Sequence, residues 1–110
     1  IAHKEKKLTR TALEEGLHRV KWPGRFEVVH AGGHDVVIDG AHNPDGITSF
    51  CQTYEDVFAT RKRVFIFSVL ADKDYTHMVQ ELFRQDDYVI CAPAPTPRTS
   101  DPKKMAELIP

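Results

Sequence analysis

The chain has 110 residues, with 15 basic and 16 acidic side chains, a formal net charge of -1, and 41% hydrophobic and 28% charged residues. A chain of this length exposes about 6,000 Å² when folded against about 18,000 Å² unfolded, enough burial for one core, whether a single domain or a piece of a larger protein. The composition excludes a disordered tail, the even charge leaves no footprint for nucleic acid or an acidic membrane, and the longest apolar run, 64–71, is broken by Ser68 and far too short for a membrane span.

Residues 1–7 are charged and lack the apolar core of a secretory signal, and the chain begins with Ile1 rather than methionine, as a truncated product would. Thr11 and Glu14 form a capping-box pattern, and Leu13, Leu17 and Val20 follow at helical spacing, predicting a short helix over 11–20. Gly16 weakens it and Trp22-Pro23-Gly24 ends it. Phe26-Glu27-Val28-Val29 reads as a strand and Val36-Val37-Ile38 as a second, joined by a hairpin loop over 30–35. The second run is apolar without alternation, as expected of a strand covered on both faces.

Asp39-Gly40-Ala41-His42-Asn43-Pro44-Asp45-Gly46 follows, with Asn43 predicted as helix N-cap and Pro44 as first helical residue. Ile47, Phe50, Cys51, Tyr54, Val57 and Phe58 mark one helical face, and Arg61-Lys62-Arg63 reads as its solvated basic exit. A buried strand over 64–70 leads through the loop 71–74 to a helix patterned by Tyr75, Met78, Val79, Leu82 and Phe83. A third buried strand covers 88–92. Pro93, Pro95 and Pro97 stiffen an extended loop, and Ser100-Asp101-Pro102 starts a last helix through Met105, Leu108 and Ile109. This alternation predicts an α/β fold: a Rossmann-like, mostly parallel sheet with right-handed crossovers, helices on both faces, and the hairpin adding one antiparallel edge strand. Ending on a helix, with no further strand, is the pattern of a sheet cut short.

Cys51 and Cys91 sit inside apolar patterns and are expected as buried, reduced thiols, which fits the cytoplasm. The six histidines show no ligand spacing, and His30 and His34 flank a glycine turn, so no metal site is expected in this chain.

Ligands of open parallel sheets bind beyond the carboxyl ends of the strands. The loops 39–44, 71–74 and 92–98 occupy that edge. In the first, a helix N-terminus favours phosphate or carboxylate, while Asp39 could accept hydrogen bonds from sugar hydroxyls; equally, Asp39 and Asn43 could only satisfy backbone donors. His42 reads as a capped surface residue or a ligand contact. By themselves, Arg25 and Lys73 read as solvated charges. There is no phosphate-cradling Gly-x-x-x-x-Gly-Lys-Ser/Thr.

Three segments occur in order: Trp22-Pro23-Gly24-Arg25-Phe26-Glu27, Asp39-Gly40-Ala41-His42-Asn43-Pro44-Asp45-Gly46 and Leu70-Ala71-Asp72-Lys73-Asp74. With them the chain, from about Leu13 to Leu108, resembles the C-terminal domain of folylpolyglutamate synthase and bifunctional dihydrofolate synthase, within the Mur ligase superfamily. The resemblance implies an ATP- and Mg²⁺-dependent ligase that phosphorylates a folate or dihydropteroate carboxylate and couples it to L-glutamate. It implies that Arg25 contacts the ATP phosphates and assists phosphoryl transfer, that Asp39 binds the nucleotide, and that His42 and Asn43 lie near it or the domain cleft. The phosphate loop and magnesium ligands would lie in a central ATPase domain, with residues 1–10 as its linker and 11–110 as a C-terminal domain truncated at its end. The fragment alone is then expected to be inactive, and the whole protein a cytoplasmic monomer. Two other readings stand beside this one: a Mur peptidoglycan amino-acid ligase domain, and a stand-alone nucleotide-binding module.

Overall fold

The computed structural model describes residues 7–59 and 61–110, which divide into two compact units, one up to Ile38 and one from Asp39. The first six residues of the expected linker lie outside the described residues. Among the described residues no helix is long and apolar enough to cross a membrane.

The first unit opens with helix α1, Arg10–Arg19. Its cap is Thr9, whose hydroxyl accepts from the Ala12 N–H at 3.1 Å, so the cap lies two residues ahead of the expected Thr11 and the helix starts one residue early. Glu14 pairs with Arg10 one turn back instead of closing a capping box. Strands β1, Glu27–Ala31, and β2, His34–Ile38, form an antiparallel hairpin in which Val28 faces Val37 and Val29 faces Val36. The loop expected over 30–35 shrinks to Gly32 and Gly33, at φ 57° and 79°. Two consecutive left-handed glycines suit the tight turn whose twist matches paired strands, so His30 and Asp35 stay in the ladder and pair with each other. The expectation of a strand covered on both faces fails here, because Val36 and Ile38 are exposed.

The second unit holds the core. Helix α2, Pro44–Phe58, is capped by Asn43, whose side-chain oxygen accepts from the Gly46 N–H at 2.7 Å, with Pro44 at the first helical position as predicted. Strand β3, Val64–Phe67, helix α3, Tyr75–Leu82, and strand β4, Tyr88–Cys91, form a parallel crossover in which Val64 pairs with Tyr88 and Phe67 with Cys91. Helix α4, Pro102–Ala106, capped by Asp101, closes the chain; the expected helix through Leu108 and Ile109 stops earlier. Ile47, Phe67, Val69, Met78, Val79, Leu82, Phe83 and Met105 form one buried cluster, with Phe65 and Phe67 edge-on to Phe83.

Two expectations need correction. Strands β3 and β4 are buried on one face only: Phe65, Phe67, Val89 and Cys91 pack on the cluster, while Val64, Ile66, Tyr88 and Ile90 point away and are exposed. A run that is apolar at every position cannot reveal which face the helices cover. The hairpin, moreover, pairs only with itself among the described residues, giving two two-stranded sheets in place of one sheet with an antiparallel edge. The α/β class and the parallel β3–α3–β4 unit stand.

Candidate functional site

The parallel strands β3 and β4 end together at Phe67 and Cys91, and the loops that follow are laced to each other. The Ala92 N–H donates to the Phe67 carbonyl at 2.9 Å, and the Ser100 N–H to the Val69 carbonyl at 3.1 Å. The Ala71 N–H reaches the Arg98 carbonyl at 2.8 Å, and Leu70 bridges Thr99. The proline-rich stretch is therefore a return strap, locked by the buried Ser100 hydroxyl, which donates to the Val69 carbonyl at 2.7 Å. Across the strap the Arg98 guanidinium meets the Asp72 carboxylate at 2.6 Å and holds its pKa below the ordinary carboxylate value. This pair joins two of the three expected edge loops.

The third loop enters α2. Asp39 accepts the Ala41 N–H at 2.8 Å through one carboxylate oxygen, a turn role of the kind spacing left open. A carboxylate has about four acceptor positions, so a turn bond and hydroxyl recognition are compatible roles for one side chain. His42 is exposed, and its Nδ1 lies 3.0 Å from the Gly40 carbonyl. A carbonyl only accepts, so Nδ1 donates, and the neutral ring then presents Nε2 as an acceptor. Gly46 sits in a tight place: a Cβ would lie 3.1 Å from the Asn43 side-chain oxygen and 3.3 Å from the Ala41 Cβ, so the cap would have to give by a few tenths of an ångström.

These details bear on the two chemistries expected at this helix start. Pro44 has no N–H, Asn43 takes that of Gly46, and Asp45 adds a negative charge to the first turn. The N-terminus of α2 is thus poorly furnished for an anion. Hydroxyl recognition by Asp39 fits the geometry better than phosphate binding by the helix. Asn43 acts as the cap.

Arg25 belongs to the first unit. It is exposed, with its guanidinium 5.8 Å from the centre of the Trp22 ring, a cation–π distance. Asp39, His42 and Asn43 share one short segment of the second unit. Among the described residues no three His, Cys, Asp or Glu side chains gather as a group that could hold a metal ion.

The basic exit of α2 departs from expectation. Arg61 and Lys62 are exposed, but Arg63 is buried, bonding to both carboxylate oxygens of Asp87 at 2.8 and 2.5 Å and donating to the Leu82 carbonyl at 3.2 Å. Its guanidinium lies 5.5 Å from the centre of the Tyr54 ring and 5.0 Å from that of Phe65, cation–π distances. The sequence signal was its position directly before an apolar strand, with Asp87 directly before the next one. Cys51 and Cys91 are free and half-buried, and burial pushes both thiols upward, helped at Cys51 by the charge of Glu81.

Residues 24–110 match the family model of the Mur ligase, glutamate ligase domain. The chain belongs to the Mur ligase family. It is 39% identical over 92 residues to folylpolyglutamate synthase of Lacticaseibacillus casei, covering 83% of this chain and 21% of that protein. Among solved structures, folylpolyglutamate synthase of Mycobacterium tuberculosis, complexed with ADP and AMPPCP, superimposes with a TM-score of 0.81 at 33% identity, covering 93% of this chain and 23% of that one. A bifunctional folylpolyglutamate synthase/dihydrofolate synthase with Mn, AMPPNP and L-glutamate bound gives 0.78 at 30% identity, covering 96% and 25%. The chain therefore spans about a fifth to a quarter of these relatives. The matched region holds both Arg25 and the Asp39–Asn43 loop.

Proposed function

We propose that this chain is the C-terminal domain of an ATP-dependent ligase that couples L-glutamate to the carboxylate of a folate or dihydropteroate. Such an enzyme serves folate biosynthesis and polyglutamylation in one-carbon metabolism. The observation that carries the reading is the Asp39–Asn43 loop at a helix start, in a chain whose relatives include folylpolyglutamate synthases. In that reaction ATP gives its γ-phosphoryl group to the carboxylate, the glutamate amine attacks the acyl phosphate, and phosphate leaves as the amide forms.

The roles of this chain follow from its side chains. Asp39 accepts hydrogen bonds from the ribose hydroxyls while its turn bond to Ala41 holds it in place. Arg25 supplies a cation to the phosphates, where charge neutralisation is most of the catalysis. His42 offers Nε2 towards the nucleotide or the domain cleft, and Asn43 fixes the loop. Closing this domain over ATP excludes water from an acyl phosphate that would otherwise hydrolyse. The reading assigns the Mg²⁺ ligands and the phosphate loop to a central ATPase domain, with residues 1–10 as linker, in a cytoplasmic monomer. By itself the chain is expected to ligate nothing.

The test is steady-state kinetics of the complete enzyme. Arg25→Ala should lower turnover by ~10³-fold at saturating ATP, by analogy with other cations supplied to phosphoryl transfer. Asp39→Asn should weaken ATP binding by about ten- to a hundred-fold at unchanged thermal stability, as for the loss of a charge-assisted hydrogen bond. Normal ATP affinity with lowered stability would leave Asp39 only its turn role. Unchanged turnover of Arg25→Ala would remove Arg25 from the mechanism.

A further inference from the structure

The connection from α1 to β1 is more tightly built than a solvated turn requires. Gly24 and Phe26, on either side of Arg25, have φ of 75° and 42°. Glycine reaches that region freely, but an aromatic residue there is an outlier that its surroundings must enforce. Glu27 is the first residue of β1, its backbone set by the ladder opposite Ile38, and its carboxylate reaches back to accept the Gly24 N–H at 2.9 Å. The Arg25 N–H donates to the Trp22 carbonyl at 3.2 Å, and the Trp22 ring lies beside the guanidinium. Gly24, Phe26 and Glu27 are half-buried while Arg25 and Trp22 are exposed, so the turn anchors its frame and displays its arginine. Backbone strain of this kind, held by neighbouring bonds, is what pre-aims a functional side chain.

We infer that Glu27 is a positioning residue for Arg25: through the Gly24 N–H it holds the strained turn that aims the guanidinium. The inference rests on the reading above that Arg25 acts on the ATP phosphates. A cation must sit within a fraction of an ångström of the developing charge, and a misplacement of about 1 Å costs on the order of a hundredfold in rate. Loss of the Glu27 bond therefore acts on turnover through Arg25.

The experiment is a double-mutant cycle in the complete enzyme, reading kcat, the KM for ATP and thermal stability. Glu27→Ala should lower kcat by about ten- to a hundred-fold, and Glu27→Gln, which keeps an acceptor oxygen, should recover most of it. In the Arg25→Ala background, Glu27→Ala should have no further effect on kcat. An equal further loss there, or an unchanged kcat in Glu27→Ala while Arg25→Ala is impaired, overturns the positioning role and leaves Arg25 in place. An unimpaired Arg25→Ala overturns the reading of Arg25 itself. Should Glu27→Ala fail to fold, Glu27→Asp, whose shorter side chain cannot span to Gly24, carries the same cycle.

Discussion

The two ends of the β3–β4 sheet are each tied by an arginine and an aspartate, and the two ties differ in exposure and in the number of bonds they make. At the amino end Arg63 and Asp87, each one residue ahead of its strand, have side chains only 4% and 2% exposed. At the carboxyl end Asp72 and Arg98, in the loops that follow the strands, are 52% and 65% exposed. The buried pair is bidentate, Arg63 donates as well to the Leu82 carbonyl and Asp87 accepts the Arg84 N–H, and the guanidinium lies close to two rings. The exposed pair has one contact in water, where measured pairs contribute little. The same two residue types thus fix the frame at one end, and at the other leave the edge open, where α/β sheets take their ligands. Stability and chemistry are separated along the strand direction.

The largest effect should come from breaking the buried tie. Asp87→Ala leaves Arg63 charged and unpaired inside the unit, a change that costs about 3–5 kcal/mol, a large part of a typical domain's stability. Urea denaturation of the variant and the parent measures it. Replacing both partners with apolar residues, Arg63→Met with Asp87→Leu, should restore much of the loss, because the cost lies in the orphaned charge. A loss under about 1 kcal/mol for Asp87→Ala would put the two ends on an equal footing.

At the open end the largest structural effect belongs to the cap. Asn43→Ala removes the acceptor for the Gly46 N–H and should cost about 1 kcal/mol by the same denaturation, with Asn43→Asp close to the parent. Equal stability of all three would mean that α2 starts without its cap, and would return Asn43 to the list of ligand contacts.

Much of this division was legible in the sequence, for identifiable reasons. The start of α2 carries an unambiguous chemical signature in Asn43-Pro44, and α3 a clean helical spacing, so both were found, as was the ordering of parallel strands around them. The covered face of each strand was not, since Val64-Phe65-Ile66-Phe67 is apolar at every position and has no period to read. The hairpin turn was overestimated because His30 and Asp35 are polar, yet they extend the ladder by facing each other. At the site, Asp39 and His42 were visible as residue types at a sheet edge. The Asp39 turn bond to Ala41 and the Glu27 clamp on Gly24 depend on side-chain reach over two and three residues, which composition cannot express. Arg63 was read as solvent-facing because a partner 24 residues away leaves no local trace.

The smallest expected effect tests the exposed tie. The hydrogen bond from Arg98 lowers the Asp72 pKa, so folding favours the ionised carboxylate. A depressed carboxylate pKa contributes stability that is fully present above the unfolded value, near 3.9, and is lost as pH falls through the folded value. Comparing the parent with Asp72→Asn, the parent should melt slightly higher at pH 7, and the gap should close as the pH drops below about 4. Added salt should also narrow it, because the pair stands in water with a Debye length of only about 3 Å at 1 M. Thermal midpoints of both proteins from pH 7 to pH 3, at low and high salt, measure this. A gap that does not narrow at all between pH 7 and pH 3, or in salt, would mean that Asp72 holds the strap by packing or by its own backbone contacts. A gap as large as that of Asp87→Ala would make the carboxyl edge as firm as the amino one.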